Sequence, residues 1–543
     1  MSLTTDILSL AVFALVAGCG ETRVNVVRAG GGAANGSGAG GENGGAGHAG
    51  AAGAAGAAGT AGARGPPGVV THDGPLTVGD TWSRAWGGDG WCESQAVAFA
   101  PDGSIYVTGW FTGTADFDPD TGVVAATSVQ NTGVFLSRFD PDGNLERVQT
   151  WIPRDPVPWD RWGSEGWALA VDDAGDAYLG GQYSGTIDLD PGSGLLEYTA
   201  TEGFDGFLIK LSADGELFWG TAWQTSASAQ SSSMGRVRTI EISEGGVLVS
   251  GQFGPVGELD PGPGEDWRSA TGVPAEGFAP DSDCALVAVT PAGDLRWART
   301  WGSENSEYSC MGAARGQRVV ASGESWGTVD LDPGPDEDEH VLLADYDAWL
   351  IGLDGDGSAL WSRTWAGSGH HSAEALMLLA DGGLVGGSFY SEIDFMTVEQ
   401  PSLRQPGERF SAYVLRFADD GVPQWVRTWG DTGEARTIDV TGTEDEVLVA
   451  GKFQGEVDFD TATHTAALDA AFVRAFSFDG QPLWTRVPAG GSSFAGSIAT
   501  KDGVVAVVGG FYDTVDFDFG QGSDVWTSTD LYGCWLVKFP VQP

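Results

Sequence analysis

The sequence predicts an all-β fold of seven repeated four-stranded units, and three observations carry that prediction. The first is a five-residue stretch, Trp82-Ser83-Arg84-Ala85-Trp86, which returns as Trp297-Ala298-Arg299-Thr300-Trp301, Trp361-Ser362-Arg363-Thr364-Trp365 and Trp425-Val426-Arg427-Thr428-Trp429. Weaker copies at 147–151, 219–223 and 484–488 bring the number to seven. The second is a regular succession of short apolar runs separated by tight-turn signals, with no long helical period. The third is that the repeat is out of phase with the ends: the chain opens on the fourth strand of a unit, 81–86, and ends on a third strand, 534–539.

Each element can be justified in order. Residues 1–18 read as a signal peptide, because 7–16 is an apolar run too short to span a bilayer. Val16-Ala17-Gly18-Cys19 follows it and resembles the lipobox of bacterial lipoproteins. The resemblance implies cleavage before Cys19, lipid on that cysteine and, with Gly20 next, the outer membrane or surface of a Gram-negative cell. The leader departs from the pattern in having no Lys or Arg before Cys19 and in carrying Asp6.

Residues 19–75 read as a disordered Gly/Ala-rich spacer. Glycine falls on every third position from Gly38 to Gly68, a collagen-like period, but the filling is mostly Ala. With only Pro66 and Pro67 to stiffen it, the stretch is expected to be a loose tether rather than a trimeric stalk.

Residues 79–543 carry the repeats. The second Trp of successive copies falls at 86, 151, 223, 301, 365 and 429, a spacing suited to one four-stranded blade with a long loop. In the first unit, 95–100 and 105–111 are strands joined by Pro101-Asp102-Gly103-Ser104. A long acidic connection leads to 134–140, and Pro141-Asp142-Gly143-Asn144 turns into 145–151. The second unit repeats this at 168–172, 178–183, 207–211 and 217–223. Trp, Arg and Trp at alternate positions share one strand face, where a guanidinium between two indoles gains cation–π attraction. The out-of-phase ends predict a seven-bladed β-propeller closed by pairing the N-terminal strand with the C-terminal blade, which removes an open edge.

The unit Gly181-Gln182-Tyr183-Ser184-Gly185-Thr186-Ile187-Asp188-Leu189-Asp190, followed by Asp205-Gly206-Phe207-Leu208-Ile209-Lys210, resembles the repeat of secreted bacterial β-propeller proteins. The resemblance covers about residues 79–543. It implies the fold and little about activity, since propellers host many functions.

Charge narrows the partners. Lys+Arg number 27 against 75 Asp+Glu, a formal charge of −48. This excludes nucleic acid and leaves the lipid at Cys19 as the only membrane contact. The second-to-third and blade-to-blade connections are long and should emerge on one acidic face. That face carries Asp116, Asp118 and Asp120, Asp188 and Asp190, Glu258 and Asp260, Asp330 and Asp332, Asp458 and Asp460, and Asp516 and Asp518. The fifth unit keeps Asp394 alone, with Met396 in the partner position. Paired carboxylates suit Ca²⁺; pairing with strand Arg residues or a solvated surface is the other reading.

Apart from Cys19 there are four cysteines, each beside a third or fourth strand of the third or seventh unit. Their positions predict Cys284–Cys310 and Cys92–Cys534 disulfides, as suits an exported protein. No His-x-x-x-His spacing, G-x-S-x-G elbow or phosphate loop is present. His370-His371, in a blade-to-blade connection, is a metal-site candidate or ordinary loop surface. The leading functional expectation is a monomeric, non-enzymatic surface module that binds a protein or glycan through its acidic face, with or without Ca²⁺. The alternatives are a polysaccharide hydrolase or lyase with carboxylates at the funnel, and a purely structural envelope protein.

Overall fold

The structure, a computed structural model, describes residues 70–541 apart from 74–75, 77–78, 155–162, 201–203, 224–233, 255, 263, 272–281, 366, 368, 399–402, 408, 444 and 520–521. The signal peptide, Cys19 and most of the spacer lie outside the described residues. Those described form strands and no helix, in a propeller-like all-β fold.

Successive antiparallel sheets take four strands each, in chain order from inner to outer. Sheet one is Cys92–Phe99, Ile105–Asp116, Ala125–Phe139 and Leu145–Trp151. Sheet two is Glu165–Val171, Ala177–Tyr183, Asp205–Leu211 and Leu217–Ala222. Sheet three is Met234–Ser243, Gly246–Phe253, Asp283–Val289 and Leu295–Trp301. Sheet four is Tyr308–Arg315, Arg318–Asp330, Glu339–Asp354 and Ala359–Trp365. Sheet five is Ala375–Leu379, Gly382–Phe389, Ser411–Phe417 and Pro423–Trp429. Sheet six is Glu434–Gly442, Glu446–Asp458, Thr463–Ser477 and Pro482–Arg486. The last three strands, Ala489–Lys501, Val504–Asp516 and Val525–Pro540, take Trp82–Gly88 as their outer partner, with Trp82 opposite Lys538 and Trp86 opposite Cys534.

Why these runs are strands follows from burial. Middle strands such as Ala177–Tyr183 and Asp283–Val289 are buried at every position. Neighbouring sheets cover both of their faces, so the two-residue alternation gives way to unbroken apolar runs. Each sheet junction is a core: Tyr106, Leu136 and Trp151 of sheet one pack with Leu179, Tyr183 and Ile209 of sheet two. The inner strands pack on one another in chain order, and Ala489–Lys501 packs on Cys92–Phe99.

Both expected disulfides are present, Cys92–Cys534 with Cα atoms 5.1 Å apart and Cys284–Cys310 at 5.4 Å. Two features differ from the sequence reading. Val70–His72, inside the stretch assigned to the spacer, is a strand paired with Val525–Pro540. The long acidic second-to-third connections are mostly strand as well. Ile105–Asp116 and Ala125–Phe139 stay paired past a register shift at Phe111/Gly113, and Thr114 and Thr127 hydroxyls meet across the extension at 3.0 Å.

The Trp-x-Arg repeat also acts differently from a guanidinium held between two indoles. Arg84 lies over Trp82, 4.9 Å from its ring centre, and both reach into sheet one. Trp82 Nε1 donates to Pro141 O, Arg84 Nε to Gly143 O and Arg84 Nη2 to Asp142 O. Trp297 and Arg299 clasp Gly355, Asp356 and Gly357 in the same way. So do Trp425 and Arg427 with Phe478, Asp479 and Gly480. The outer strand of one sheet thus grips the Asp-Gly turn of the next. Gly143 sits at φ +83°, and a β-carbon there would stand 2.9 Å from Arg84 Nε. Glycine is therefore needed both for the turn and for the grip.

Candidate functional site

The heads of the inner strands bring together several charges with little access to water. Glu93 and Glu165 open the inner strands of sheets one and two and are 4% and 5% exposed. Gln95 Nε2 donates to Glu93 Oε2 at 3.3 Å. Glu165 Oε2 accepts from Gln182 Nε2 at 2.7 Å and from Trp167 Nε1 at 3.1 Å. Gln182 Oε1 in turn accepts from Arg236 Nε of sheet three at 2.6 Å. Arg236 and Arg238 lie over the Trp167 ring, at 5.6 and 5.1 Å. Gln182 thus links Glu165 of sheet two to Arg236 of sheet three, Arg238 lies over the same indole, and Glu93 of sheet one is near enough to feel the Glu165 charge.

Different neighbours act on the two acids. Burial and the neighbouring Glu165 push the Glu93 carboxyl up to about 8, against the opposing pull of Lys452. Burial raises Glu165 too, but Arg236, the Trp167 hydrogen bond and Arg238 work to keep it ionised. Both carboxyls are thus shifted upward, Glu165 against the opposing pull of two guanidinium groups.

A second group lies at sheets four to six. His370 Nε2 is 2.9 Å from Glu324 Oε2. Burial lowers the imidazole, but the Glu324 bond and charge prevail and raise it. Burial and Glu324 raise Glu374, opposed by Arg436, whose guanidinium lies 4.1 Å from the Phe410 ring centre. Further along the inner strands, Glu241 is pushed up to about 8 by burial and by Asp439. Asp439 is itself pushed up to about 6 by burial, despite bonds from Ile498 N and Ser497 Oγ.

The acidic pairs picked out in sequence sit elsewhere, at the turns of the second-to-third connections. Asp116 Oδ1 accepts from Asp118 N and Val124 N, and Asp188 Oδ1 from Asp190 N and Leu196 N. Asp330 repeats this with Asp332 and Asp338, and Asp516 with Asp518 and Asp524. The second acid of a pair caps the residue two further on: Asp118 takes Asp120 N, Asp190 takes Gly192 N and Asp332 takes Gly334 N. Asp458 takes Asp460 N, and Asp460 pairs with the buried Arg474. The first carboxylate of each pair closes its turn, and the apolar residue between the two acids, such as Phe117 or Leu189, is fully buried. Among the described residues no group of three or more His, Cys, Asp or Glu side chains is arranged to hold a metal ion.

Sequence reading passed over Glu93 and Glu165. Their signal was present in a weak form: a Glu just ahead of the inner-strand apolar run, seen again at Glu434. A recurring acid one register from a buried strand reads as a loop charge until the packing of successive sheets brings the strand heads together.

No protein-family model and no curated protein matches the chain. Among solved structures, two point mutants of the Synechocystis apocarotenoid oxygenase are similar at TM-score 0.38 and 11% identity, over 84% of this chain and 96% of theirs. A chimera titled ACO/RPE65 is similar at TM-score 0.27 and 10% identity, over 75% of this chain and 96% of its own. The named oxygenase is an enzyme, where the sequence reading expected a non-enzymatic binding or scaffold module, and that expectation is not carried forward. A likeness of this size assigns no activity to the chain.

Proposed function

We propose that the seven sheets close into a seven-bladed β-propeller and that its axial funnel is an acid–base active site for cleaving glycosidic bonds. Closure is supported by the pairing of Trp82–Gly88 with Val525–Pro540, by the Cys92–Cys534 bond and by the packing of the last inner strand on the first. Two disulfides favour an exported protein. Export with a lipid at Cys19 is part of this reading.

One observation carries the chemistry: a buried, proton-holding Glu93 beside Glu165. Glu93 donates a proton to the departing glycosidic oxygen, and Glu165 activates water or stabilises the developing cation. Trp167 provides a flat face, and Arg236 and Arg238 favour a substrate that carries carboxylate or other anionic groups.

The test is reducing-end release from neutral and anionic polysaccharides by the folded chain, with Glu93→Gln and Glu165→Gln alongside. Each variant is expected to lose about 10²–10⁴-fold in rate. The wild-type rate is expected to fall as pH rises through about 8, where Glu93 gives up its proton. Full rates in both variants would discard the funnel as the active site.

A further inference from the structure

The junction between sheets four and five carries a different chemistry, on residues the funnel does not use. Asp347 lies in the third strand of sheet four, His371 in the connection to sheet five, and Ser391 just beyond the strand Gly382–Phe389. His371 Nδ1 is 2.9 Å from Asp347 Oδ1, and His371 Nε2 is 3.1 Å from Ser391 Oγ. Asp347 and His371 are wholly buried, and Ser391 is half-exposed. The backbone holds the imidazole in place: His371 N donates to Tyr346 O at 2.9 Å, and His371 bridges to Phe389. An ionised carboxylate only accepts, so Nδ1 keeps the proton and Nε2 is free to accept from the Ser391 hydroxyl. We infer that Ser391, His371 and Asp347 are a nucleophile, its general base and the carboxylate that orients the base, and that they hydrolyse carboxylic esters with an apolar or aromatic acyl group.

Three observations set this apart from a bond that merely ties two sheets. First, Asp347 Oδ2 is buried and has no hydrogen-bond partner among the described residues. An under-satisfied buried carboxylate is costly at rest and gains when an imidazolium forms beside it. Second, backbone approaches the pair so closely that only glycine fits. At Gly369 a β-carbon would stand 2.8 Å from Ser391 Oγ, and at Gly367 it would stand 2.6 Å from His371 Nε2. Third, an exposed aromatic pair begins at the residue before Ser391. Tyr390 is 52% exposed, its ring lies 5.3 Å from Phe410, and Phe410 lies 5.7 Å from His370.

The reaction balances without a cofactor. Ser391 Oγ bonds to the ester carbonyl carbon as its proton passes to His371 Nε2. The tetrahedral intermediate breaks its bond to the alkoxy oxygen, which leaves as the alcohol with that proton. Water then attacks the acyl-serine, gives a proton to Nε2, and releases the carboxylic acid as the proton returns to Ser391. One water is consumed for each ester cleaved.

The inference stands apart from the funnel reading and is tested on esters alone. The folded chain is incubated with p-nitrophenyl acetate, butyrate and benzoate, and separately with a fluorophosphonate probe followed by peptide mapping. Hydrolysis and a single label on Ser391 are expected. Ser391→Ala should lose both, with the rate down at least about 10³-fold. Asp347→Asn should lower kcat with KM little changed and alter the pH profile of kcat/KM, which a purely structural role would not do. A folded wild-type chain that takes no label at Ser391, or hydrolysis that survives Ser391→Ala, overturns the inference. If the alanine variant does not fold, the wild-type labelling site decides alone.

Discussion

At the scale of single residues, the molecule separates charges that hold the fold from charges that do not help it. Arg427 is of the first kind: it donates to Gly480 O and Asp479 O and lies over the Trp425 ring at 5.2 Å. Arg427→Met should remove these bonds while keeping much of the stem's packing, and cost about 1–3 kcal/mol in denaturant unfolding. Glu93, Glu241 and Asp439 are of the second kind, pushed up to about 8, 8 and 6 by burial. Their folded values lie above the ordinary carboxylate range. As pH rises from about 4.5 the unfolded chain releases these protons while the folded chain still holds them, so stability falls until pH passes the folded values. His370, raised by Glu324, acts in the same direction, because its contribution is lost as pH rises through its folded value. The melting temperature is expected to be higher near pH 5 than near pH 8, and Glu93→Gln should flatten that slope. A melt that is flat or rises over this interval would contradict the burial argument.

At the scale of elements, the unit that repeats is a strand together with the turn it holds. The alternating acids of the second-to-third connections belong here. Asp188 Oδ1 receives two backbone N–H groups and Asp188 Oδ2 meets Arg154 at 3.2 Å. Asp188→Ala leaves those donors unmet and is expected to cost about 1–3 kcal/mol. Its effect should be read by the loss of amide-exchange protection around Leu196. Because backbone donors already occupy the first oxygens, millimolar Ca²⁺ is expected to leave the melting temperature where EDTA leaves it. A clear rise with Ca²⁺ would restore the metal reading of these pairs.

At the scale of the whole molecule, several long-range contacts converge where Val525–Pro540 meets the first described strands. Val70–His72 and Trp82–Gly88 both pair with Val525–Pro540, and His72 Nε2 lies 2.6 Å from Asp524 Oδ1, whose carboxylate also receives the Ser83 hydroxyl. Cys92 and Cys534 are 442 residues apart and Cys284 and Cys310 only 26. Chain entropy then credits the first bond with roughly 6 kcal/mol and the second with about 3.5, as upper figures. Removing the first, as Cys92→Ser with Cys534→Ser, should lower the melting temperature more than removing the second. Equal losses would mean that the ends are held by strand pairing alone.

Much of this fold was legible in the chain itself. The four main strands of each sheet, their order, the turns, the shared outer strand and both disulfides follow from local periodicity and from ends that are out of phase, because each depends on residues close in sequence or on a repeat that can be counted. The Trp-x-Arg stretch was legible as a packing element but not as a clasp, since its partner turn lies nearly sixty residues away in the next sheet. The candidate sites were the least legible. The acids that drew attention in sequence were the clustered ones, and these close turns. Glu93 and Glu165, and likewise Asp347, His371 and Ser391, are single residues scattered over different units, with no local motif. Sequence by itself determined the main strands of each sheet and how the sheets follow one another, because turn signals and apolar patterning are local. Only the tertiary structure decided which charges lose water and which side chains face each other, because desolvation and hydrogen-bond geometry arise where distant segments pack together.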